Sequence, residues 1–126
     1  MQVTDRGIIH GTIVALDGEF DLAQRHRILD AFAAVSNESL VVVDLERAGY
    51  IDSTVLSSLI RMRNEITERG GALIVTSPRP MVKRLFEIAG LNEVFDIRST
   101  LAEVREEYGL FDGTLRRVEV VADVID

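Results

Sequence analysis

The sequence contains no cysteine and only two prolines among its 126 residues. The absence of cysteine excludes disulfides, thiolate zinc sites, iron–sulfur clusters and cysteine nucleophiles. Its apolar stretches are far shorter than the roughly 20 residues that a membrane-spanning helix needs. The opening residues, MQVTDRG, lack the basic-then-apolar order of a signal peptide. We therefore expect a cytoplasmic protein with no membrane span.

Basic residues are also scarce. The sequence has 14 lysines and arginines against 21 acidic residues, which gives a formal net charge of −7. Duplex nucleic acid requires a clustered basic face, so we expect no nucleic-acid partner. Because 47% of the residues are apolar, a chain of this length can bury a core and form one folded domain.

Two β-branched runs near the start of the sequence, at residues 8–9 and 12–16, indicate strands. Asp17 and Gly18 form a turn signal that is expected to end the second run. The two strands are expected to pair directly with each other, which would make the sheet a mixed one.

The remainder of the sequence alternates between strand and helix periods. Residues 40–43, before Asp44, form a continuous apolar run that is typical of a central strand buried on both faces. Further strands are predicted at residues 72–76 and 94–97, and helical spacing begins near residue 22, at residue 53 and after Pro78. Thr100 and Glu103 form a capping box that begins a last helix. The pattern predicts an α/β fold with a mixed sheet of four to five strands and about four helices.

The final segment, residues 111–126, combines a turn signal with the alternating residues Val118, Glu119 and Val120. It could add an edge strand to the sheet or form a mobile tail. We expect a domain over residues 1–110, followed by a C-terminal extension over 111–126 that is dispensable for folding.

Asp52, Ser53 and Thr54 stand where a loop after the central strand meets the start of an amphipathic helix. Side chains of these types often cap a helix by accepting hydrogen bonds from N–H groups of its first turn. A phosphate on Ser53 would face the same N–H groups and the positive end of the helix dipole. Capping and phosphorylation are compatible here, and the residues alone leave both open.

Three segments, in this order, resemble those of STAS domains and in particular of bacterial anti-sigma factor antagonists. Residues 16–21 (LDGEFD) are similar to the family's Gly-Glu-Leu-Asp turn. Residues 41–45 and 52–56 (VVVDL and DSTVL) resemble its phosphorylation segment, and residues 77–91 resemble its third helix. The resemblance covers about residues 8 to 107 and implies the STAS fold.

The resemblance also implies roles for individual residues. Ser53 matches the family's phosphoacceptor, and Thr54 matches the hydroxyl beside it and is the alternative acceptor. Asp52 matches the acid before the acceptor. Asp21 matches an acid of the first turn that lies near the phosphorylation site, although a helix N-cap is an equally good interpretation of Asp21 from the residues alone.

Two positions depart from the family pattern. Val55 and Ser57 stand where the family has glycines. The partner-binding surface is expected to consist of Asp21, Asp52, Ser53, Thr54 and Val55. The side chain of Val55 would narrow a partner's access to the start of the helix.

For function, the resemblance implies a regulatory binding module without catalytic activity, cofactor or metal. In the family, the unphosphorylated antagonist binds an anti-sigma factor that is also a serine/threonine kinase, and this releases a sigma factor. Phosphorylation of the antagonist by that kinase ends the binding.

Two other functions stay open. The chain could be the STAS component of a transporter or of a multi-protein signalling assembly, with Ser53 only a helix cap. It could also be a small ligand-binding domain that uses Arg79 and Lys83, which form a basic patch with Arg84. Such a patch is more often a solvated helix face.

Other chemical motifs are weak. His10 and His26 lie 16 residues apart, and no acidic cluster has metal-ligand spacing, so both histidines are expected at the surface. The residues around Ser53 lack the glycines of a serine hydrolase or a phosphate-binding loop. Asp44 ends a central strand, as an aspartate does in a response-regulator receiver. That fold also needs a pair of acids after its first strand to hold magnesium, and Asp17 supplies a single acid there.

Overall fold

One five-stranded sheet organises the protein in a computed structural model, which describes residues 11–110 and 115–122. The strands lie in the spatial order β4-β3-β2-β1-β5. Their bounds are β1 Gly11–Phe20, β2 Leu40–Ile51, β3 Ala72–Thr76, β4 Asp96–Arg98 and β5 Leu115–Val121. The helices are α1 Arg25–Val35, α2 Ser53–Glu68, α3 Pro80–Ile88 and α4 Leu101–Tyr108, with 3-10 turns at Leu22–Gln24 and Leu91–Glu93. The predicted α/β fold with up to five strands and four helices is confirmed.

Every pairing between these five strands is parallel. Parallel neighbours need a crossover connection, and each of the four crossovers here carries one helix. The carboxyl ends of all five strands therefore meet at one edge of the sheet. The predicted direct pairing of the opening strands involves residues 8–9, which lie outside the described residues.

The core has two layers, one on each face of the sheet. Helices α1, α2 and α3 bury residues such as Phe32, Leu59 and Phe86 against one face. Helix α4 covers the other face, where Val104 packs against Ile13 and the apolar side chains of β2 and β3. Across the part of the chain that the structure describes, no helix combines the length and apolar character needed to cross a membrane.

Helix α2 follows the apolar period of its sequence. It buries Val55, Leu56, Leu59, Met62 and Ile66. Ile60 is partly buried and packs at the core's margin. Arg61 and Asn64 are exposed on the outer side of the helix.

The predicted turn at Asp17 and Gly18 is wrong. Strand β1 continues through both residues to Phe20, and the register with β2 shifts on either side of them. Gly18 has a φ of +119° in this irregular stretch, which a residue with a side chain rarely adopts. The glycine therefore accommodates a bulge in a strand and not a chain reversal.

The C-terminal segment contributes an edge strand, which was one of its two predicted forms. Strand β5 pairs with β1 in continuous register from Gly11 with Leu115 to Asp17 with Val121. Val120 is buried in the larger core layer with Ala122. Because these residues complete the sheet and its core, the expectation that the segment is dispensable for folding no longer has structural support.

Candidate functional site

The predicted site residues meet at the carboxyl edge of the sheet, where β1 and β2 end side by side. Phe20 and Ile51 are paired as the last residues of these strands, so Asp21 and Asp52 follow them at equivalent positions. The backbone N–H of Asp52 also donates to the Phe20 carbonyl at 3.1 Å. The parallel register therefore brings together two acids that are 31 positions apart in the sequence.

Asp52 is the N-cap of α2, as its sequence context predicts. Its backbone is extended, with φ −82° and ψ 173°, and its Oδ1 accepts a hydrogen bond of 2.9 Å from the N–H of Val55. Its carbonyl accepts the N–H of Leu56 at 3.1 Å. The carboxylate thus fixes the start of α2 and places negative charge at the positive end of the helix dipole.

Asp21 has the corresponding position before α1. Its Oδ1 accepts a hydrogen bond of 2.9 Å from the N–H of Ala23 and begins the 3-10 turn Leu22–Gln24, which continues into the helix. Its side chain is exposed. The N-cap interpretation of Asp21 is confirmed, and two capping carboxylates now lie at neighbouring strand ends.

Ser53 is the first residue of α2 and is exposed, whereas Thr54 beside it is half-buried. The hydroxyls of Ser57 and Ser58, one turn later, donate to the carbonyls of Ser53 and Thr54 at 3.0 Å. These bonds use the backbone of the first turn and leave its side-chain hydroxyls uninvolved. Of the two candidate acceptors, Ser53 is the more accessible to solvent.

Val55 does not lie at the surface, contrary to the expectation for it. Its side chain is fully buried in the larger core layer, because position 55 begins the inward stripe that continues through Leu59, Met62 and Ile66. The residue reaches the site through its backbone N–H, which Asp52 accepts. The valine therefore fills the core and does not narrow access to the helix start.

Exposed apolar side chains flank the site, and the sequence analysis missed them. Leu22, directly after Asp21, is 63% exposed, and Tyr50, near the end of β2, is 39% exposed. Both side chains are available to a protein that binds at this edge of the sheet. Leu22 stands where the helical spacing of the sequence begins, and nothing in the sequence indicates that it points outward.

Arg79 also approaches this edge. A Cβ placed on Gly49 would lie 3.7 Å from Arg79 Nη1 and 3.6 Å from Glu19 Cγ, so the guanidinium lies beside the end of β2. Lys83 and Arg84 are exposed on α3 as predicted. Of this basic patch, Arg79 is thus the residue shown beside β2, the strand that Asp52 follows.

Metal ligands do not come together in the described ranges. No group of three or more histidine, aspartate and glutamate residues within 11–110 and 115–122 could hold a metal ion. His26 is exposed, and His10 falls outside those ranges. Capping acids, an exposed serine and apolar neighbours are chemically suited to binding a protein and to accepting a phosphate.

Comparison with known proteins gives a consistent result. The family model described as "STAS domain" matches residues 2–104. An anti-sigma-B factor antagonist from Listeria monocytogenes is 27% identical over 89 residues, which cover 69% of this chain and 78% of that protein. Together these matches confirm the family resemblance of the sequence.

Solved structures share the fold. The anti-sigma factor antagonist SpoIIAA in its unphosphorylated form matches with a TM-score of 0.66 and 22% identity, covering 83% of this chain and 95% of SpoIIAA. SpoIIAA of Bacillus is also known in a phosphorylated form, with a TM-score of 0.62, 20% identity and coverage of 79% of this chain and 93% of that one. A sulfate transporter family protein from Wolinella succinogenes matches with a TM-score of 0.66 and 12% identity, covering 85% and 93%.

Proposed function

Because the chain belongs to the STAS domain family, we propose that it is a phosphorylation-switched binding module for an anti-sigma factor that is also a serine/threonine kinase. Its unphosphorylated form sequesters that partner and so releases a sigma factor. Phosphorylation of Ser53 ends the binding. The chain is a substrate and a ligand in this scheme, and it has no catalytic activity of its own.

The observation that carries the proposal is the position of Ser53. Its exposed side chain stands on the first residue of α2, next to the capping Asp52. A phosphate attached there lies at the positive end of the helix dipole, so the fold can accept it without backbone movement. SpoIIAA, which has the same fold, has been solved in an unphosphorylated form and in a phosphorylated form.

The switch follows from charge at the docking surface. A phosphate adds about −2 charge beside the carboxylates of Asp52 and Asp21. It repels acidic groups of a bound partner, and it must lose its hydration if it enters the interface. A loss of about 3 kcal/mol in binding free energy lowers the affinity more than a hundredfold.

The exposed side chains of Leu22 and Tyr50 supply the apolar part of the same surface. Their positions beside Asp21 and Asp52 place them within reach of a partner that approaches Ser53. A single kinase domain can therefore contact the apolar residues and the acceptor together.

Mass spectrometry after co-expression with kinases encoded near the gene tests the proposal. We expect one phosphate on the wild-type chain, mapped to residue 53, and none on Ser53→Ala. Ser57→Ala is the matched control, since Ser57 is an exposed serine one turn along the same helix. Thr54→Val removes the alternative acceptor. Phosphorylation of Thr54 in the Ser53→Ala variant would show that Thr54 is the phosphoacceptor.

Calorimetry with the partner kinase tests the second half of the proposal. Ser53→Ala should bind as tightly as the unmodified wild type, and Ser53→Asp should bind more weakly. A carboxylate carries less charge than a phosphate, so we expect a loss of about tenfold for Ser53→Asp. Equal affinities, with no phosphate transfer to residue 53 by any candidate kinase, would contradict the proposal.

A second candidate function is a component of a transporter or multi-protein assembly. It is favoured by the similarity to the Wolinella sulfate transporter family protein, whose TM-score equals that of SpoIIAA. In this role Ser53 only begins a helix. Co-purification with a membrane permease, and the absence of phosphate at residue 53, would support it.

We further infer that the chain acts in the cytoplasm, where such kinases and sigma factors operate. Its domain is proposed to span residues 1–110, with residues 111–126 as an extension that supplies β5. The match of the family model ends at residue 104, before that strand, which supports the division.

A further inference from the structure

A cavity of about 530 Å³, which Ser53 does not line, lies at the carboxyl ends of β3 and β4. It is formed by the loop after β3, by one side of α3 and by β4. Clefts outside the carboxyl ends of parallel strands are common positions for ligands in α/β proteins. Nothing in the proposed switch uses this cavity.

Apolar side chains form one wall of the cavity. Pro78 and Ile97 are half-buried and present the accessible apolar surface of this wall. Phe86 and Phe95 also line the cavity but are almost fully buried, at 0% and 3% exposure, with ring centroids 5.6 Å apart and an interplanar angle of 41°. The accessible part of the wall suits a small apolar group.

The cations of the cavity have different partners. Arg98 Nε and Nη2 each donate to a carboxylate oxygen of Glu107 at 3.0 Å, and this pairing raises the pKa of the Arg98 guanidinium. Lys83 is exposed on α3 and forms no ion pair with another residue of the described ranges. The Lys83 ammonium therefore provides a positive charge in the cavity that no ion pair occupies. Asp96, at the rim, provides one negative charge.

The backbone at the rim adopts an unfavourable conformation. Ser77 has a φ of +54°, which residues other than glycine adopt only at a cost of about 1–3 kcal/mol. It is held there by two bonds to the end of β4: its N–H donates to the Arg98 carbonyl at 2.9 Å, and its Oγ donates to the Ser99 carbonyl at 3.1 Å. Strained backbone that surrounding contacts maintain at a cavity is characteristic of a binding site.

We propose that this cavity binds a small organic anion, with an apolar body against Pro78 and Ile97 and a carboxylate or phosphate group directed to Lys83. The amide side chain of Asn92 lines the same cavity and can accept or donate a hydrogen bond at the polar end of the ligand. Asp96 limits the ligand to a single anionic group, because a second one would face its carboxylate. The proposal does not depend on phosphorylation of Ser53.

An NMR titration of the full-length chain with phenyl phosphate tests it. We expect saturable shifts at the amides of Ser77, Asn92, Ile97 and Ser99, with a dissociation constant of about 1–10 mM for a probe of this size. Benzoate in a parallel titration distinguishes a carboxylate preference from a phosphate preference. Inorganic phosphate and benzyl alcohol, which carry only the charge or only the ring, should each bind at least about fivefold more weakly.

Three variants make the test specific. Lys83→Gln should weaken phenyl phosphate binding about fivefold or more, since it removes the unpaired charge. Arg84→Gln is the matched control, because it removes a charge from the adjacent position of α3 without touching the cavity, and it should change the affinity less than twofold. Asp96→Asn should strengthen binding about two- to threefold.

The opposite results would overturn the proposal. Equal losses in Lys83→Gln and Arg84→Gln would show a general attraction to basic residues of α3. Shifts at residues 53–55 in place of the cavity amides, or shifts that do not saturate, would show that the cavity is not a site. Equal binding of inorganic phosphate and phenyl phosphate would exclude the apolar wall from recognition.

Discussion

Replacement of Asp52 separates its two contributions to the start of α2. In Asp52→Ala the N–H of Val55 loses the acceptor that lies 2.9 Å away, which costs about 1 kcal/mol by analogy with other N-caps. The loss of negative charge at the helix dipole adds about 0.5 kcal/mol. Asp52→Asn keeps an acceptor oxygen at the same place and loses the charge alone. We therefore expect about 1.5 kcal/mol of destabilisation for alanine and about 0.5 kcal/mol for asparagine.

Urea and thermal unfolding measure the difference. For a chain of this length, 1 kcal/mol corresponds to about 4 °C in Tm, so alanine should lower Tm by about 6 °C and asparagine by about 2 °C. Asp21→Ala is the matched control, because it removes the same type of bond from a three-residue 3-10 turn in an exposed position, and its effect should be smaller. Wild-type stability in Asp52→Ala, or equal losses for alanine and asparagine, would refute the capping argument.

Three further predictions concern the rest of the fold. Leu59→Ala should destabilise the protein by about 2–5 kcal/mol in denaturant unfolding, because the side chain is fully buried; a change below about 0.5 kcal/mol would contradict its place in the core. Removal of residues 115–126 should lower the unfolding midpoint in circular dichroism, since β5 completes the sheet, and an unchanged midpoint would show that the strand is dispensable. The hydrogen bond from Arg98 lowers the pKa of the Glu107 carboxyl group. The pair's contribution to the free energy of unfolding is therefore present above the unfolded-state pKa of Glu107 and is lost as pH falls through its folded-state pKa. Unfolding of Glu107→Gln should accordingly depend less on pH in the acid range than that of the wild type.

The regular elements of this fold were largely predictable because their signals are local. The apolar run at 40–43, the inward stripe of α2 and the capping box at Thr100 each indicate one structure regardless of the rest of the chain. Thr100 Oγ1 does accept the N–H of Glu103 at 3.2 Å. The position of Asp52 as an N-cap was equally local.

The failures have one physical cause in common, which is tertiary contact that the sequence does not display. Asp17 and Gly18 have the composition of a turn, but both pair with β2, and Asp17 also pairs with β5, which keeps them in β1. Val55 stands where the family has a glycine, yet its place on the inward stripe of α2 decides its burial. The cavity beside Lys83 could not be predicted at all, because it exists only when α3 and β4 lie next to each other.

The pairing of β1 with β5 has a consequence for synthesis on the ribosome. Thr12 and Arg116 are register partners 104 residues apart. At the usual 5–20 residues per second, about 5–20 s separate the translation of the two strands. During that interval β5 is not yet available to form hydrogen bonds with the edge of β1 that it later covers. A slower ribosome prolongs that exposure, and we expect soluble yield in cells to fall when slow codons are placed between the codons of β1 and those of β5.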